Sequence, residues 1–166
     1  TKKMNLELAP TEEMIKIALD VKPQEVCIVP ERREERTTEG GLDIINNYDL
    51  VKDTCDRLAS AGIRATLFIA PNIKHIEKAI MMNVPVIEIH TGHYANLQNE
   101  AEKLKELSII REAVNFANKA GLIVNAGHGL HYRNVQAIVA INDIYELNIG
   151  HSIVAEALFV GWQKAI

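Results

Sequence analysis

The sequence predicts an α/β fold, a (β/α)8 (TIM) barrel of which six βα units are present, and three observations carry that expectation. Short β-rich runs alternate strictly with longer helical ones, six of each, as a parallel sheet with crossover helices requires. Polar and ionisable residues fall at the end of nearly every strand run: Glu7, Glu31, Glu88 with His90, Asn125 with His128, and Asn148 with His151. An even spread of this kind is expected of a barrel rim, whereas a doubly wound sheet gathers its site at one switch point. Finally, no G-x-G-x-x-G opens the first unit and no G-x-x-x-x-G-K-S/T occurs, so the nucleotide-binding folds lose their usual marker.

Each element has its own signal. Strands are expected at 4–9, 25–29, 64–69, 85–90, 122–125 and 145–149, apolar runs with little alternation, as strands buried on both faces should be. Helices are expected at 11–20, 46–61, 72–82, 99–120, 131–141 and 152–165. Thr11 opens the first as an N-cap, with Glu12 and Glu13 near the positive end of the helix dipole. In the second, Val51, Cys55, Leu58 and Ala59 recur at helical spacing and Gly62 supplies the stop. The fourth places Ala101, Leu104, Leu107, Ile110, Val114 and Ala117 on one face and ends at Gly121. The longest irregular stretch, 30–42, is rich in charge and ends Thr37-Thr38-Glu39-Gly40-Gly41; a long βα loop in a compact barrel is usually functional or a lid.

Composition narrows the function classes. The 166 residues fit a single domain, 1–166, with a real core, and 48% hydrophobic with 24% charged residues is ordinary for a globular protein. A formal charge of −4 with scattered Lys and Arg provides no basic field, so no nucleic-acid partner is expected. No apolar run reaches the roughly 20 residues needed to span a bilayer, and Thr1-Lys2-Lys3-Met4-Asn5 opens no signal-like apolar stretch, so no membrane partner and a cytoplasmic location are expected. Cys27 in a strand run and Cys55 in a helical run read as reduced packing residues. Six units are two short of eight and the first begins on a strand, so the expectation is a barrel lacking its two N-terminal βα units.

Four places carry chemistry. Asn125-Ala126-Gly127-His128 and Asn148-Ile149-Gly150-His151 repeat one pattern 23 residues apart, about one strand-plus-helix unit, and should present Asn, Gly and His at the same sheet edge. His128, flanked by Gly127 and Gly129, is expected to face the cavity as a proton carrier. Gly150-His151-Ser152 opens a helix whose free N–H groups form an anion site, at the position where barrels commonly hold phosphate. Glu7 inside a strand should be a general acid/base with a raised pKa, unless it is an edge position facing solvent. Glu88 and His90 share a strand face; they form either part of the site or a structural ion pair at the barrel floor. His131 is a lesser candidate, and Arg32, Arg33 and Arg36 either contact a second anion or form a solvated charge run. A metal reading would use His90, His128 and His151 with Glu88, but no H-x-H or H-E-x-x-H spacing supports it. Unaided, these residues point to acid/base chemistry on a small phosphorylated carbonyl compound.

Several runs resemble the pyridoxine 5′-phosphate synthase family: Asn5-Leu6-Glu7, Val29-Pro30-Glu31-Arg32-Arg33, Thr37-Thr38-Glu39-Gly40-Gly41-Leu42-Asp43, Ile87-Glu88-Ile89-His90-Thr91-Gly92, Val124-Asn125-Ala126-Gly127-His128-Gly129-Leu130 and Glu146-Leu147-Asn148-Ile149-Gly150-His151. The resemblance implies a (β/α)8 barrel, usually a homo-octamer, that joins 1-deoxy-D-xylulose 5-phosphate to 3-amino-2-oxopropyl phosphate in vitamin B6 synthesis, with no metal or organic cofactor. It implies that Glu7 and His128 are catalytic proton carriers and that Glu88 stabilises a transition state or orients a water. Thr37, Gly129, Gly150 and His151 would bind substrate, the last two at a phosphate. The family's first two strands carry an Asn-x-Asp-His run and a His-x-Arg-Glu-Asp-Arg-Arg-His run that are absent here, so the chain alone is expected to be incomplete for activity. The competing expectations are a non-catalytic phosphate-binding barrel fragment or assembly subunit and a metal-dependent barrel hydrolase.

Overall fold

A computed structural model describes residues 3–31, 37 and 40–166. Six strands, β1 (Asn5–Leu8), β2 (Glu25–Ile28), β3 (Arg64–Ile69), β4 (Val86–His90), β5 (Ile123–Gly127) and β6 (Glu146–Asn148), form one parallel sheet in the order β1-β2-β3-β4-β5-β6. Among the described residues strand order never reverses, so they show no switch point of the doubly wound kind. The sheet curls as a half-barrel with helices alternating along it.

The helices are α1 (Glu12–Val21), α2 (Tyr48–Ser60), α3 (Ile73–Met81), α4 (Gly92–Asn96), α5 (Glu100–Lys119), α6 (Val135–Val139), α7 (His151–Val160) and α8 (Trp162–Ala165). Side chains cap three of them: Thr11 accepts the Met14 N–H at 3.3 Å, Asn72 accepts the Lys74 N–H at 2.9 Å, and Asn99 accepts those of Ala101 and Glu102. Each cap satisfies N–H groups that the first turn leaves without a helical partner. Gly62 and Gly121, at φ +76° and +87°, follow α2 and α5 in the left-handed region that favours glycine. Three helical expectations need correction. The 131–141 segment is helical only over α6, because Asn134 accepts the His131 N–H and holds the preceding residues in a turn. The 152–165 segment breaks at Gly161, φ +86°, into α7 and α8, and α4 was not anticipated. On α5, Ala101 and Leu104 are exposed, while Ile110, Ala113, Val114 and Ala117 are buried with Glu106. No helix among the described residues is long and apolar enough to cross a membrane.

Register divides the sheet into two unlike faces. Leu8, Val26, Ile28, Leu67, Ile69, Ile87, Ile89, Val124 and Ala126 alternate onto the outer face and join the core with helix residues such as Ala18, Leu58, Ile76 and Ile110. Each fully buried Leu or Ile contributes about 1.5–3 kcal/mol from apolar area removed from water. The alternate positions, Glu7, Cys27, Thr66, Phe68, Glu88, His90, Asn125, Gly127 and Asn148, fall on the inner face. The strands are therefore not apolar on both sides, as expected of them, but apolar toward the helices and mainly polar toward the barrel axis. At the N-terminal end of the sheet, buried Glu25 pairs with Arg64, its register partner, and with Lys3. That ion pair occupies the floor, the role left open for Glu88.

Candidate functional site

The inner face is built by strand register. Glu88 stands level with Phe68 on β3 and Asn125 on β5; one step toward the rim, His90 stands level with Gly127, and Gly127 with Asn148. The two Asn-x-Gly-His copies thus reach the same edge but are not level with one another. The stagger of a curled sheet sets the second copy two residues further along, so that Asn125 pairs with Glu146 and Gly127 with Asn148.

Glu88 is 3% exposed, and two groups converge on its Oε2. Asn148 Nδ2 donates to it at 2.6 Å, and the Cys27 thiol donates at 3.6 Å. Burial pushes the Glu88 carboxyl up to about 7; the Asn148 hydrogen bond opposes that rise and the charge of Glu7 adds to it. Burial likewise pushes the Cys27 thiol well above its usual range, with the charge of Glu88 adding to the effect, so Cys27 stays an S–H donor. Cys27 and Cys55 are both free and buried, as expected of packing cysteines, but Cys27 also has this polar contact, which its apolar sequence neighbours concealed.

At the rim, the His90 and His128 rings stack with centroids 4.8 Å apart and planes 24° from parallel. The Phe68 and His90 rings meet edge-to-face with centroids 5.0 Å apart. His128 takes φ +80° and is exposed. Thr91 holds this turn: its N–H donates to the Gly127 carbonyl at 2.8 Å, and its hydroxyl lies 2.7 Å from the carbonyls of both Gly127 and His128. Gly92 is required here, since a Cβ on it would stand 2.5 Å from the His90 ring and 2.7 Å from that of His128.

Loop 30–42 is described only in part. Arg32, Arg33 and Arg36 lie outside the described residues, as do Arg-flanking Glu34, Glu35, Thr38 and Glu39. Thr37 donates its N–H to the Gly41 carbonyl at 2.8 Å, and Gly40 packs against His90, where a Cβ would come within 3.0 Å of the ring. Thr37 therefore belongs to the loop end that lies over the inner rim. Gly129, at φ +77°, follows His128, and Asn134 Nδ2 donates to its carbonyl at 3.1 Å. Gly150 caps α7 without a side-chain partner, and His151 is that helix's exposed first residue. Ser152 donates to the Leu130 carbonyl at 2.9 Å, tying the start of α7 to the turn after β5.

Glu7 departs from expectation. It shares the inner face with Cys27 and Glu88, but it is exposed on β1, the strand at one end of the sheet, and so is not the enclosed carboxylate its neighbours Leu6 and Leu8 suggested. The structure brings Glu88, His90 and His128 together with Cys27, Thr91 and Asn148; of these, Cys27 had no sequence signal beyond its place in a strand, and Thr91 none beyond its place in a strand-end motif. The donors that a metal site would need, His90, His128 and His151 with Glu88, form no metal-binding group among the described residues.

Solved structures share the fold at 11% identity. They are an O-GlcNAc hydrolase mutant of Thermobaculum terrenum (TM-score 0.61, covering 98% of this chain and 44% of that one), an EAL domain protein of Listeria monocytogenes EGD-e (0.52, 87% and 57%) and a xylose isomerase domain protein of Planctomyces limnophilus (0.51, 89% and 62%). The chain thus spans 44–62% of the length of these structures, and the likeness is one of fold. Residues 1–166 match the family model described as pyridoxal phosphate biosynthesis protein PdxJ.

Proposed function

Because the chain belongs to the pyridoxal phosphate biosynthesis protein PdxJ family, we propose that the protein is a pyridoxine 5′-phosphate synthase. It would condense 1-deoxy-D-xylulose 5-phosphate with 3-amino-2-oxopropyl phosphate to pyridoxine 5′-phosphate, inorganic phosphate and water. The observation that carries the acid/base part of this reading is Glu88, a buried carboxyl poised near pH 7 beneath the stacked His90 and His128. Imine formation, dehydration and ring closure each move a proton, and a group whose pKa lies near the working pH both gives and takes one efficiently. His128 serves as the second proton carrier at the rim, and Glu7, exposed on the same face, as the third. Thr37 and Gly129 bind substrate, and Gly150 with His151 holds a phosphate at the start of α7, where free N–H groups and the helix dipole favour an anion. A cytoplasmic homo-octamer completes the reading.

The test is to incubate the purified protein with both phosphates and follow pyridoxine 5′-phosphate and released phosphate together. Turnover is expected of the protein with all eight βα units in place, with Glu88→Gln and His128→Asn each lowering kcat there by roughly 100-fold or more. Binding of both phosphates without product, in protein shown to be folded, would instead favour a non-catalytic phosphate-binding subunit.

A further inference from the structure

Glu88 joins alternate strands. Its carboxyl meets Cys27 from β2 and Asn148 from β6, while Glu88 itself comes from β4. Barrel interiors are filled in layers contributed by alternate strands, usually with branched aliphatic side chains. Here the layer is a carboxyl, a thiol and an amide, a costly substitution in a buried place unless each polar atom has a job. The geometry is also asymmetric. Both donors meet Oε2, and neither meets Oε1. Oε1 lies toward β5, 2.2 Å from where a Cβ on Gly127 would stand, next to the strand end that carries His128. Gly127 is thus the gap through which Glu88 reaches across β5 to Asn148, since the same Cβ would stand 3.2 Å from that of Asn148.

We propose that Asn148 and Cys27 are positioning residues that hold the Glu88 carboxyl by Oε2 and leave Oε1, on the Gly127 side, as the oxygen that exchanges a proton during the reaction. The inference rests on the synthase reading for its reaction and on the contact geometry for the orientation of the carboxyl. Two donors on one oxygen remove rotation of the carboxyl, so the free oxygen keeps one direction through successive proton transfers. They also favour the charged form, so removing either raises the carboxyl's affinity for its proton.

The experiment titrates Glu88 directly, by carbon-13 NMR of protein labelled at glutamate, with the Glu88 signal identified by its loss in Glu88→Gln. Asn148→Ala is expected to move the Glu88 midpoint up by roughly one pH unit, the effect of a hydrogen bond to a charged group. Cys27→Ala should move it the same way by less, and Cys27→Ser, which keeps a donor, should restore it. In turnover, Asn148→Ala should lower kcat roughly tenfold with KM little changed, and shift the Glu88 limb of the pH profile upward with the NMR midpoint. Cys27→Ala and Cys27→Ser are near-isosteric, so they carry the test even where Asn148→Ala does not fold. A midpoint unmoved in folded Cys27→Ala and Asn148→Ala, or in Cys27→Ala alone where Asn148→Ala does not fold, overturns the proposal. The two readings separate cleanly, because the titration needs no turnover. A moved midpoint in a protein that has all eight βα units and makes no pyridoxine 5′-phosphate supports the anchored carboxyl and sinks the synthase; product formation with an unmoved midpoint does the reverse.

Discussion

Glu88 illustrates what burial does to one carboxyl. Its pKa is raised from an ordinary 4.5 to about 7, so the folded state binds the proton more tightly than the unfolded chain does. The stability attached to this group is therefore fully present below pH 4.5 and is lost as pH rises toward 7 and above. A difference of this size corresponds to roughly 3 kcal/mol. Glu88→Gln removes the titration, so its stability relative to the unsubstituted protein should rise by that order between pH 4 and pH 8. Urea melts across that range check it; a constant difference would mean that Glu88 does not titrate with the fold. Gly127 offers a second test at the same spot. Gly127→Ala places a methyl against Glu88 Oε1, and relief requires the carboxyl or the strand to shift, at about 1–3 kcal/mol. The expected readout is a lowered urea midpoint together with a displaced Glu88 carbon-13 signal. Neither effect is legible from Val-Asn-Ala-Gly-His alone, because the atom that Gly127 accommodates is 39 positions earlier in the chain.

Local signals carry furthest for single elements. Thr11, Gly62 and Gly121 act on backbone groups within a few residues, and α1, α2 and α5 begin or end beside them. Asn99→Ala removes the acceptor for two N–H groups at the start of α5 and should destabilise the protein by about 1 kcal/mol, measurable as a urea-midpoint shift. Asn99→Asp should retain most of that stability, because a carboxylate accepts the same bonds. Periodicity misleads where the partner surface is missing. Leu104 sits at helical spacing with Leu107 and Ile110, yet it is 67% exposed, and Glu106 turns inward near His93 Nε2 at 3.8 Å. Apolar spacing names a stripe on a helix; what lies opposite the stripe decides which of its residues are buried. The same limit applies to α7, whose sequence is apolar on every side but whose residues are all half-buried or exposed.

Across the molecule, the consecutive strand order places β2 to β5 between neighbours on both sides and leaves β1 and β6 with one each. Amide exchange should follow this order. Val26–Ile28 and the matching residues of β3 to β5 should be the slowest to exchange, and β6, three half-buried residues, markedly faster. Protection in β6 equal to that in β3 would contradict the sheet order. All six strands, their parallel sense and the polar rim were legible in the sequence, because alternation of β-rich and helical runs, turn glycines and helix caps are properties of neighbouring residues. So were Glu88, His90 and His128, which belong to short motifs at strand ends. The stagger between adjacent strands was not legible. It arises from how the sheet curls, and it alone puts Asn148 beside Gly127 and joins Cys27 and Asn148 on one oxygen of Glu88, while Glu7 is exposed on β1, a strand with a neighbour on one side only. Contacts between strands separated by dozens of residues depend on register, and register is a property of the assembled sheet.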